Sequence, residues 1–433
     1  LTFSLMFMPP TVSPIKSIDK LFRPNGKVFY GWWIVAIAAL IQFIGGVLWM
    51  QSYGLYTVVL HEEFSWSMTV LSGAFALTRV ESGLLGPLQG WLVDRYGPRI
   101  ILTVGLAMFG IGFLLLSQTD SLLSYYLIVF VISVGVSLGG FHTLMVSIVN
   151  WFQRHRTKAV AWSQMGYSIG GLCVPVVAWG MEWDDWRTVA MISGGMIFLL
   201  GIPVVQWIRH RPEEIGEQVD GMVSQEALAN KAGGGGTSFT WRDAVRTPAF
   251  WLISAGHGIA LLSVSSVIVH MVPHLTKGVG LGLTEASLIF SLVSIFQLIG
   301  LGIGGFLGDL FNKRLIAMTC MLFHGSGMLI LAYFEAFPML ILACVLHGLA
   351  WGTRGPLMVA IRADYFGPRS FGTIMGISSL IVMLGMMGGP MICGVIVDTF
   401  GSYEMAFQLV AFLSLAGALS FFFAKKPQNL NAL

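Results

Sequence analysis

The sequence predicts an all-α membrane protein in which twelve transmembrane helices form two six-helix bundles. Of its 433 residues, 55% are apolar and 10% are charged, whereas a soluble globular protein carries about 25% charged residues. Apolar runs of about 20 residues, the length that crosses a bilayer, recur along the chain. This composition excludes a soluble enzyme, a secreted disulfide scaffold and a disordered protein. The net charge of +3 is too small to indicate a nucleic-acid partner.

Twelve apolar runs, separated by polar breaks, define the predicted helices. They lie at 31–57, 68–92, 100–118, 122–149, 158–181, 188–208, 249–272, 284–308, 315–334, 338–361, 371–397 and 402–424. One long hydrophilic stretch divides them into six and six. The predicted order is a tail (1–30), an amino-terminal bundle (31–208), a linker (209–248), a carboxyl-terminal bundle (249–424) and a second tail (425–433). Because the two bundles are almost equal in length, we expect an internal duplication.

The basic residues indicate the orientation in the membrane. If the amino terminus is cytoplasmic, 20 of the 24 Lys and Arg residues fall on the cytoplasmic side, including Arg362 in the loop after the tenth helix. Only Arg187 and Lys277 fall outside, and Arg79 and Arg354 fall within helices. Since cytoplasmic loops are enriched in Lys and Arg, both termini are predicted to be cytoplasmic. We expect an integral protein of a bacterial inner (plasma) membrane that works as a monomer in the lipid bilayer.

A repeated turn supports the duplication. The turn after the second helix and the turn after the eighth share their Gly, Leu, Asp and final Arg positions at an offset of 215 residues, which is the spacing between Gly90 and Gly305. The same offset pairs Gly170 with Gly385. Two homologous six-helix halves in parallel repeat are typical of secondary transporters.

The first of these turns has the pattern G-x-L-x-D-R-x-G-x-R and resembles the signature loop of the major facilitator superfamily. The resemblance extends over residues 31–424, and the segments 151–171, 270–275 and 363–376 are similar to the monocarboxylate porter and oxalate/formate antiporter branch. It implies the major facilitator fold, a cavity lined by helices 1, 4, 7 and 10, and a loop cluster that ties the halves together and breaks during transport. The residues of that cluster are Gly90, Asp94, Arg95, Gly97, Arg99, Gly305, Asp309 and Arg314. The alternative is that Arg95 and Arg99 only mark the cytoplasmic side.

The chain departs from this branch at two positions. Monocarboxylate porters usually carry a basic residue late in helix 8, where this sequence has Leu301 with Gln297 one turn above. Oxalate/formate antiporters use a lysine in helix 11, and residues 371–397 contain no Lys or Arg. The substrates of the branch therefore cannot be transferred to this chain.

Charged residues inside the second predicted helix are the first candidates for a site. Arg79 and Glu81 lie near its centre, where an ionisable group costs at least ~2.5–3.5 kcal/mol. They are about 200° apart around a helix and cannot pair well with each other. One hypothesis is that Arg79 binds a substrate anion while Glu81 carries a proton. The alternative is an ion pair that joins helix 2 to a neighbour.

Helix 10 supplies the second group of candidates. Arg354 shares a helix face with Trp351 and His347, at spacings of three and seven residues. If helix 10 lines the cavity, as the resemblance implies, these three side chains face the substrate; the alternative is an arginine that extends to the membrane interface. Further binding candidates are His142, Gln42, Trp49 and His257. We expect His270 and His274 at the outer mouth and His324 on a peripheral helix.

Glycines four residues apart predict close helix contacts. Such pairs begin at Gly135, Gly166, Gly348, Gly372 and Gly385.

The predicted function is secondary active transport of a small organic anion by alternating access, coupled to protons or to a counter-anion. One alternative is an exporter of drugs or hydrophobic solutes in which Glu81 is the key group. Another is a solute sensor that does not transport. An enzyme is not expected, because no nucleophile–base pair, metal-ligand spacing or phosphate loop occurs. No cofactor or metal is expected.

Overall fold

The structure is a computed structural model whose described part comprises residue 22 and residues 28–152, 155–221, 239–367 and 371–427. It confirms the all-helical fold with twelve long helices. Their bounds are α1 Tyr30–Phe64, α2 Met68–Tyr96, α3 Pro98–Leu116, α4 Leu122–Leu138 with Phe141–Trp151, α5 Arg156–Leu172 with Val174–Trp183, α6 Trp186–Val205, α7 Pro248–Gly278, α8 Leu283–Leu310, α9 Lys313–Tyr333, α10 Phe337–Phe366, α11 Phe371–Phe400 and α12 Tyr403–Phe423. Among the described residues, ten of these helices are long and apolar enough to cross a membrane. The others are α2, which contains Arg79 and Glu81, and the interrupted α5.

Each predicted helix begins within two residues of the observed start, but several helices end later than predicted. The largest consequence is at α10, which continues to Phe366 and ends at Gly367, a glycine with φ of 72°. No helix-breaking residue precedes this glycine in the last turns. Arg362 is therefore not in a loop, as the sequence predicted, but inside α10 with only 1% of its surface exposed.

Helices approach each other closely where glycines face a neighbouring backbone. A Cβ atom on Gly166 of α5 would overlap the carbonyl of Ala39 in α1, and one on Gly385 of α11 would overlap the carbonyl of Gly258 in α7. The pairs beginning at Gly135 and Gly348 make similar contacts between α4 and α3 and between α10 and α8. Because α1–α5 and α7–α11 are equivalent pairs under the duplication, the two bundles share a packing scheme.

Both ends of the predicted linker pack against a bundle. Glu217 accepts a hydrogen bond from the backbone amide of Tyr30, at 3.1 Å, so the first part lies on the amino-terminal bundle. On the other side, the amide of Phe239 donates to the carbonyl of Phe366 at 2.9 Å, and a short helix, Trp241–Val245, follows.

The two bundles are joined away from the chain termini. We call the end of the molecule where α1 begins and α12 ends the terminal end, and we call the opposite end the far end. At the far end Asp398 of α11 accepts hydrogen bonds from the amides of Met68, at 2.9 Å, and Thr69, at 2.7 Å, at the start of α2. Glu182 of α5 likewise accepts from the amide of Thr284, at 2.9 Å, at the start of α8.

These two contacts, the carboxylate clasps, are equivalent under the duplication, since Thr284 follows Thr69 by 215 residues. A carboxylate at a helix amino terminus is favourable because it meets free N–H groups and the positive end of the helix dipole. A further bond links Ser72 of α2 with His270 of α7 at 3.0 Å. Within the described ranges, the hydrogen bonds between the bundles lie between mid-depth and the far end.

Candidate functional site

A cavity of about 530 Å³ lies between the two bundles at mid-depth. Nine helices supply its described lining, and α6, α9 and α12 supply none of it. The polar and charged lining residues are Gln42, Thr78, Arg79, Ser133, Ser137, Gln164, Tyr167, Ser168 and Gln297. The clasps lie at the far end of the molecule, and the lining toward the terminal end includes Phe141, which is 43% exposed.

Arg79 is the only Lys or Arg among the described lining residues. Its Nη2 lies 2.8 Å from the sulfur of Met50, and its guanidinium carbon lies 4.8 Å from the centre of the Phe75 ring. Its Nε is buried and has no hydrogen-bond partner. Since a thioether is a weak acceptor, and no described carboxylate lies within 4.0 Å, these contacts leave the positive charge largely unneutralised.

Glu81 lies on the other side of α2, as its angular separation from Arg79 predicts. The hydroxyl of Ser133 in α4 donates to Glu81 Oε2 at 2.7 Å, and Glu81 is only 3% exposed. It is not among the cavity-lining residues. This hydrogen bond joins α2 to α4 within one bundle.

Aromatic side chains from the two bundles meet at the cavity. Tyr167 of α5 and Trp351 of α10 make an edge contact with their ring centres 6.5 Å apart. Trp49 also lines the cavity and packs edge-on against Tyr53, with centres 5.3 Å apart. Gln42 lines it as well, with Nε2 at 3.5 Å from Ser163 Oγ. The sequence candidates Gln42, Trp49, Arg79 and Trp351 are thus brought together.

The remaining candidates of helix 10 lie behind the cavity wall. His347 contacts His324 of α9, with their Nδ1 atoms 3.1 Å apart, and Arg354 is 1% exposed; neither lines the cavity. On a helix these positions are rotated by about 40–60° from Trp351, which is enough to turn them toward α9. His257 contacts Arg362 instead of the cavity. The side chain of His142 lies outside the described residues.

Several cavity residues were not among the site residues predicted from the sequence. Gln164 and Gln297 are polar residues in apolar helices, and that contrast was the available signal. Tyr167 carried no such signal, because a tyrosine in a membrane helix is common, and only the packing of α5 against α8 and α10 brings it to the cavity.

The predicted gating residues that are described make contacts within their own bundle. Arg95 lies over the ring of Trp91, at 5.2 Å, and Arg99 Nε donates to the carbonyl of Ile208 at 3.3 Å. Gly97 has φ of 79° and separates α2 from α3. The amide of Arg314 donates to Asn312 at 3.1 Å. The side chains of Asp94 and Asp309, and the surroundings of Gly90 and Gly305, lie outside the described part of the chain.

The fold agrees with comparisons to known proteins. The sequence model of the Major Facilitator Superfamily matches residues 35–270 and 253–432. The chain belongs to the Major Facilitator Superfamily. It is therefore a membrane transporter by family and not a member of an enzyme family.

Individual relatives are distant but match over most of their length. The oxalate:formate antiporter of Oxalobacter formigenes is 26% identical, over 92% of this chain and 93% of its own length. Monocarboxylate transporter 12 of Rattus norvegicus is 22% identical, over 97% and 90% respectively. The crystal structure of a bacterial homologue of the human lysosomal transporter Spinster, titled as inward-facing and occupied, matches with a TM-score of 0.66 and 17% identity, over 92% of this chain and 97% of that one.

Proposed function

We propose that this protein transports a small organic anion across the membrane by alternating access. The observation that carries the proposal is the charge of Arg79 in the central cavity, which has no described carboxylate within 4.0 Å. A guanidinium can bind a carboxylate through two parallel hydrogen bonds, and such charge-assisted bonds are among the strongest in proteins. An anionic substrate would therefore neutralise the positive charge of Arg79 in the cavity.

Other cavity residues suit a small carboxylate. Tyr167, Ser168 and Gln297 offer hydroxyl and amide groups near mid-depth, and Gln42 and Trp49 lie on α1. Two relatives are named as transporters of carboxylates, oxalate with formate and monocarboxylates. Their names support the substrate class, and the identity of the substrate is left to experiment.

We place both termini in the cytoplasm, because most of the Lys and Arg residues that the structure describes lie at the terminal end, and we propose a bacterial inner membrane. In this orientation the carboxylate clasps close the outer side and the conformation is inward-facing. Breaking the clasps and bringing together the terminal ends of the bundles, where Arg95 and Arg99 lie, would produce the outward-facing conformation.

The coupling is proposed to involve Glu81 as a proton carrier or a second anion as a counter-substrate. Glu81 is a carboxylate near the middle of α2, on the same helix as Arg79. An ionisable group at this depth is a functional candidate by default. Proton symport predicts uptake driven by a pH gradient, and exchange predicts uptake driven by an anion on the opposite side.

Uptake into proteoliposomes tests the function directly. The full chain is reconstituted and presented with labelled carboxylates, with and without an imposed pH gradient or internal unlabelled anion. We expect saturable uptake of at least one carboxylate, its loss in Arg79→Gln, and normal uptake in the control Lys426→Gln, which removes an exposed basic residue after α12. Transport of apolar or cationic drugs alone would support an exporter, and saturable binding without transport would support a sensor.

A further inference from the structure

The interior of the carboxyl-terminal bundle contains a cationic cluster that is separate from the central cavity. Arg354 and Arg362 of α10 are each 1% exposed. His324 of α9 and His347 of α10 are buried side by side, with Nδ1 atoms 3.1 Å apart. His347 precedes Arg354 by two turns of α10 on nearly the same helix face, so Arg354 and the histidine pair lie on the side of α10 that faces α9.

The two arginines differ in their partners. Arg362 donates to the carbonyl of Met358 at 2.8 Å and to the hydroxyl of Ser378 at 2.7 Å, and it lies 3.2 Å from His257 Nδ1. Arg354 makes no hydrogen bond within the described residues, and its Nε and Nη1 are fully enclosed. One arginine of the cluster is thus held by neutral partners, and the other has none.

No described carboxylate neutralises the cluster. The acidic side chains described in this bundle are all exposed at helix ends: Glu285, Glu335, Asp364, Asp398 and Glu404. Among them Asp364 is paired with Lys313, at 2.8 Å. A charge that is withdrawn from water requires a partner of opposite sign or hydrogen bonds to all its donors, and Arg354 has neither.

We propose that the carboxyl-terminal bundle binds a small monovalent anion between α9 and α10, with Arg354 as its principal donor. The guanidinium has five N–H groups and no acceptor, so a compact anion satisfies both its charge and its enclosed donors. A halide and a carboxylate group share this chemistry. The site differs from the central cavity, because Trp351 and Gly352 line that cavity whereas Arg354 lies behind them.

The histidine pair adds a donor. In the hydrogen bond between the Nδ1 atoms of His324 and His347, one ring donates and the other accepts. A neutral ring that accepts at Nδ1 carries its proton on Nε2, and the Nε2 atoms of both rings are buried without a partner. The pair thus holds one N–H group for the same anion, whichever ring donates at Nδ1.

Anion-dependent stability of the purified full chain tests the site without transport. The unfolding temperature in detergent is measured while sodium chloride replaces sodium gluconate at constant ionic strength, and then with sodium formate in place of chloride. We expect a saturable rise in wild type, no rise in Arg354→Gln, and an unchanged half-saturating concentration in the control Lys426→Gln, which removes an exposed basic residue after α12. Stabilisation by chloride identifies an inorganic ion as a sufficient ligand, and stabilisation by formate alone identifies a carboxylate.

Two further variants keep the outcome decisive. Arg354→Lys retains the charge but loses the planar fork, so we expect the saturable rise with at least a tenfold higher half-saturating concentration; this result does not require Arg354→Gln to fold. In Arg79→Gln the chloride response should be unchanged. Absence of the rise in wild type, its persistence in Arg354→Gln, or its loss in Arg79→Gln would overturn the proposal, and the last result would place the anion in the central cavity.

Discussion

The hydrogen bond that Arg79 makes in this structure runs to the sulfur of Met50, 2.8 Å away. Both residues line the central cavity, one from α2 and the other from the π-helical turn Gly46–Met50 of α1. A thioether accepts hydrogen bonds only weakly, so the contact orients the guanidinium without neutralising it. The arginine is thereby left available to a stronger acceptor.

Replacing Met50 with an acid should place a competing carboxylate next to Arg79 in the proposed anion site. In Met50→Glu a carboxylate would pair with Arg79 and compete with the substrate. A charge-assisted hydrogen bond contributes about 1.5–3 kcal/mol, so the half-saturating substrate concentration should rise more than tenfold. Initial rates of uptake over a range of substrate concentrations measure this change.

The matched variant Met50→Leu removes the sulfur without adding charge. We expect its half-saturating concentration to stay within about twofold of wild type, because a weak neutral contact contributes little. Equal defects in Met50→Glu and Met50→Leu would mean that Met50 acts through packing, and the electrostatic account of Arg79 would lose its support.

Removing one carboxylate clasp should favour opening of the far end. Asp398→Asn retains the shape of the side chain but loses the charge that the amides of Met68 and Thr69 bind. Since an exposed acid at a helix amino terminus contributes about 0.3–1 kcal/mol, the ratio of open to closed molecules should rise by up to roughly fivefold. Glu182→Gln should have a similar effect, and the two effects should add because the clasps share no residue.

A cysteine reporter measures that opening. Leu261 lines the cavity. In sealed vesicles whose far end faces outward, Leu261→Cys in a background without the native cysteines reacts with an impermeant thiol reagent added outside only when the far end is open. The control Glu404→Gln removes an acid whose recorded contact, Gln408 at 2.9 Å, lies within α12. Unchanged labelling in Asp398→Asn and Glu182→Gln would contradict the gating role. Equally fast labelling in the control would show that loss of any acid at this end has the same effect.

Replacement by alanine should have different effects on stability at two glycines of α11. A Cβ atom on Gly385 would overlap the carbonyl of Gly258 in α7, whereas a Cβ atom on Gly388 has no atom within 4 Å. Overpacking of a tight contact costs about 1–3 kcal/mol, so Gly385→Ala should lower the unfolding temperature in detergent. Gly388→Ala should leave the unfolding temperature unchanged. Equal decreases in both variants would show that the close α7–α11 contact at Gly385 does not determine the stability.

Glu81→Gln should separate coupling from binding. The amide can still accept the hydrogen bond from Ser133, so we expect the fold to persist. If Glu81 carries the proton, a pH gradient no longer stimulates uptake, while exchange of labelled for unlabelled anion continues. Undiminished stimulation by the gradient in Glu81→Gln would exclude Glu81 from coupling, and Glu404→Gln serves as the control for loss of an acid.

The helical framework was predictable because it depends on short-range properties of the chain. Apolar length, polar breaks and the repeat at 215 residues placed the start of each helix within two residues. Helix ends were less accurate where polar residues continue the helix beyond the membrane, as in the last turn of α10. This is why Arg362 was expected in a loop and is buried instead.

The site was only partly predictable, since it depends on the rotation of helices about their axes. Trp351 lines the cavity, while His347 and Arg354 of the same predicted face turn toward α9. Periodicity defines a face to within about 60°, and that uncertainty is as large as the separation between a cavity wall and a helix interface. Tyr167 and the carboxylate clasps depend on contacts between bundles, which no local pattern records.

Substitutions on the two sides of each carboxylate clasp should differ in their effect on closure. On one side stand main-chain amides, those of Met68, Thr69 and Thr284, and any residue other than proline supplies such a donor. On the other side stand the carboxylates of Asp398 and Glu182, which only an acidic residue replaces. The main-chain donors at the starts of α2 and α8 are therefore insensitive to most substitutions, although the hydroxyl of Thr284, which also donates to Glu182, would be lost there. The two carboxylates, in contrast, tolerate only an acidic replacement.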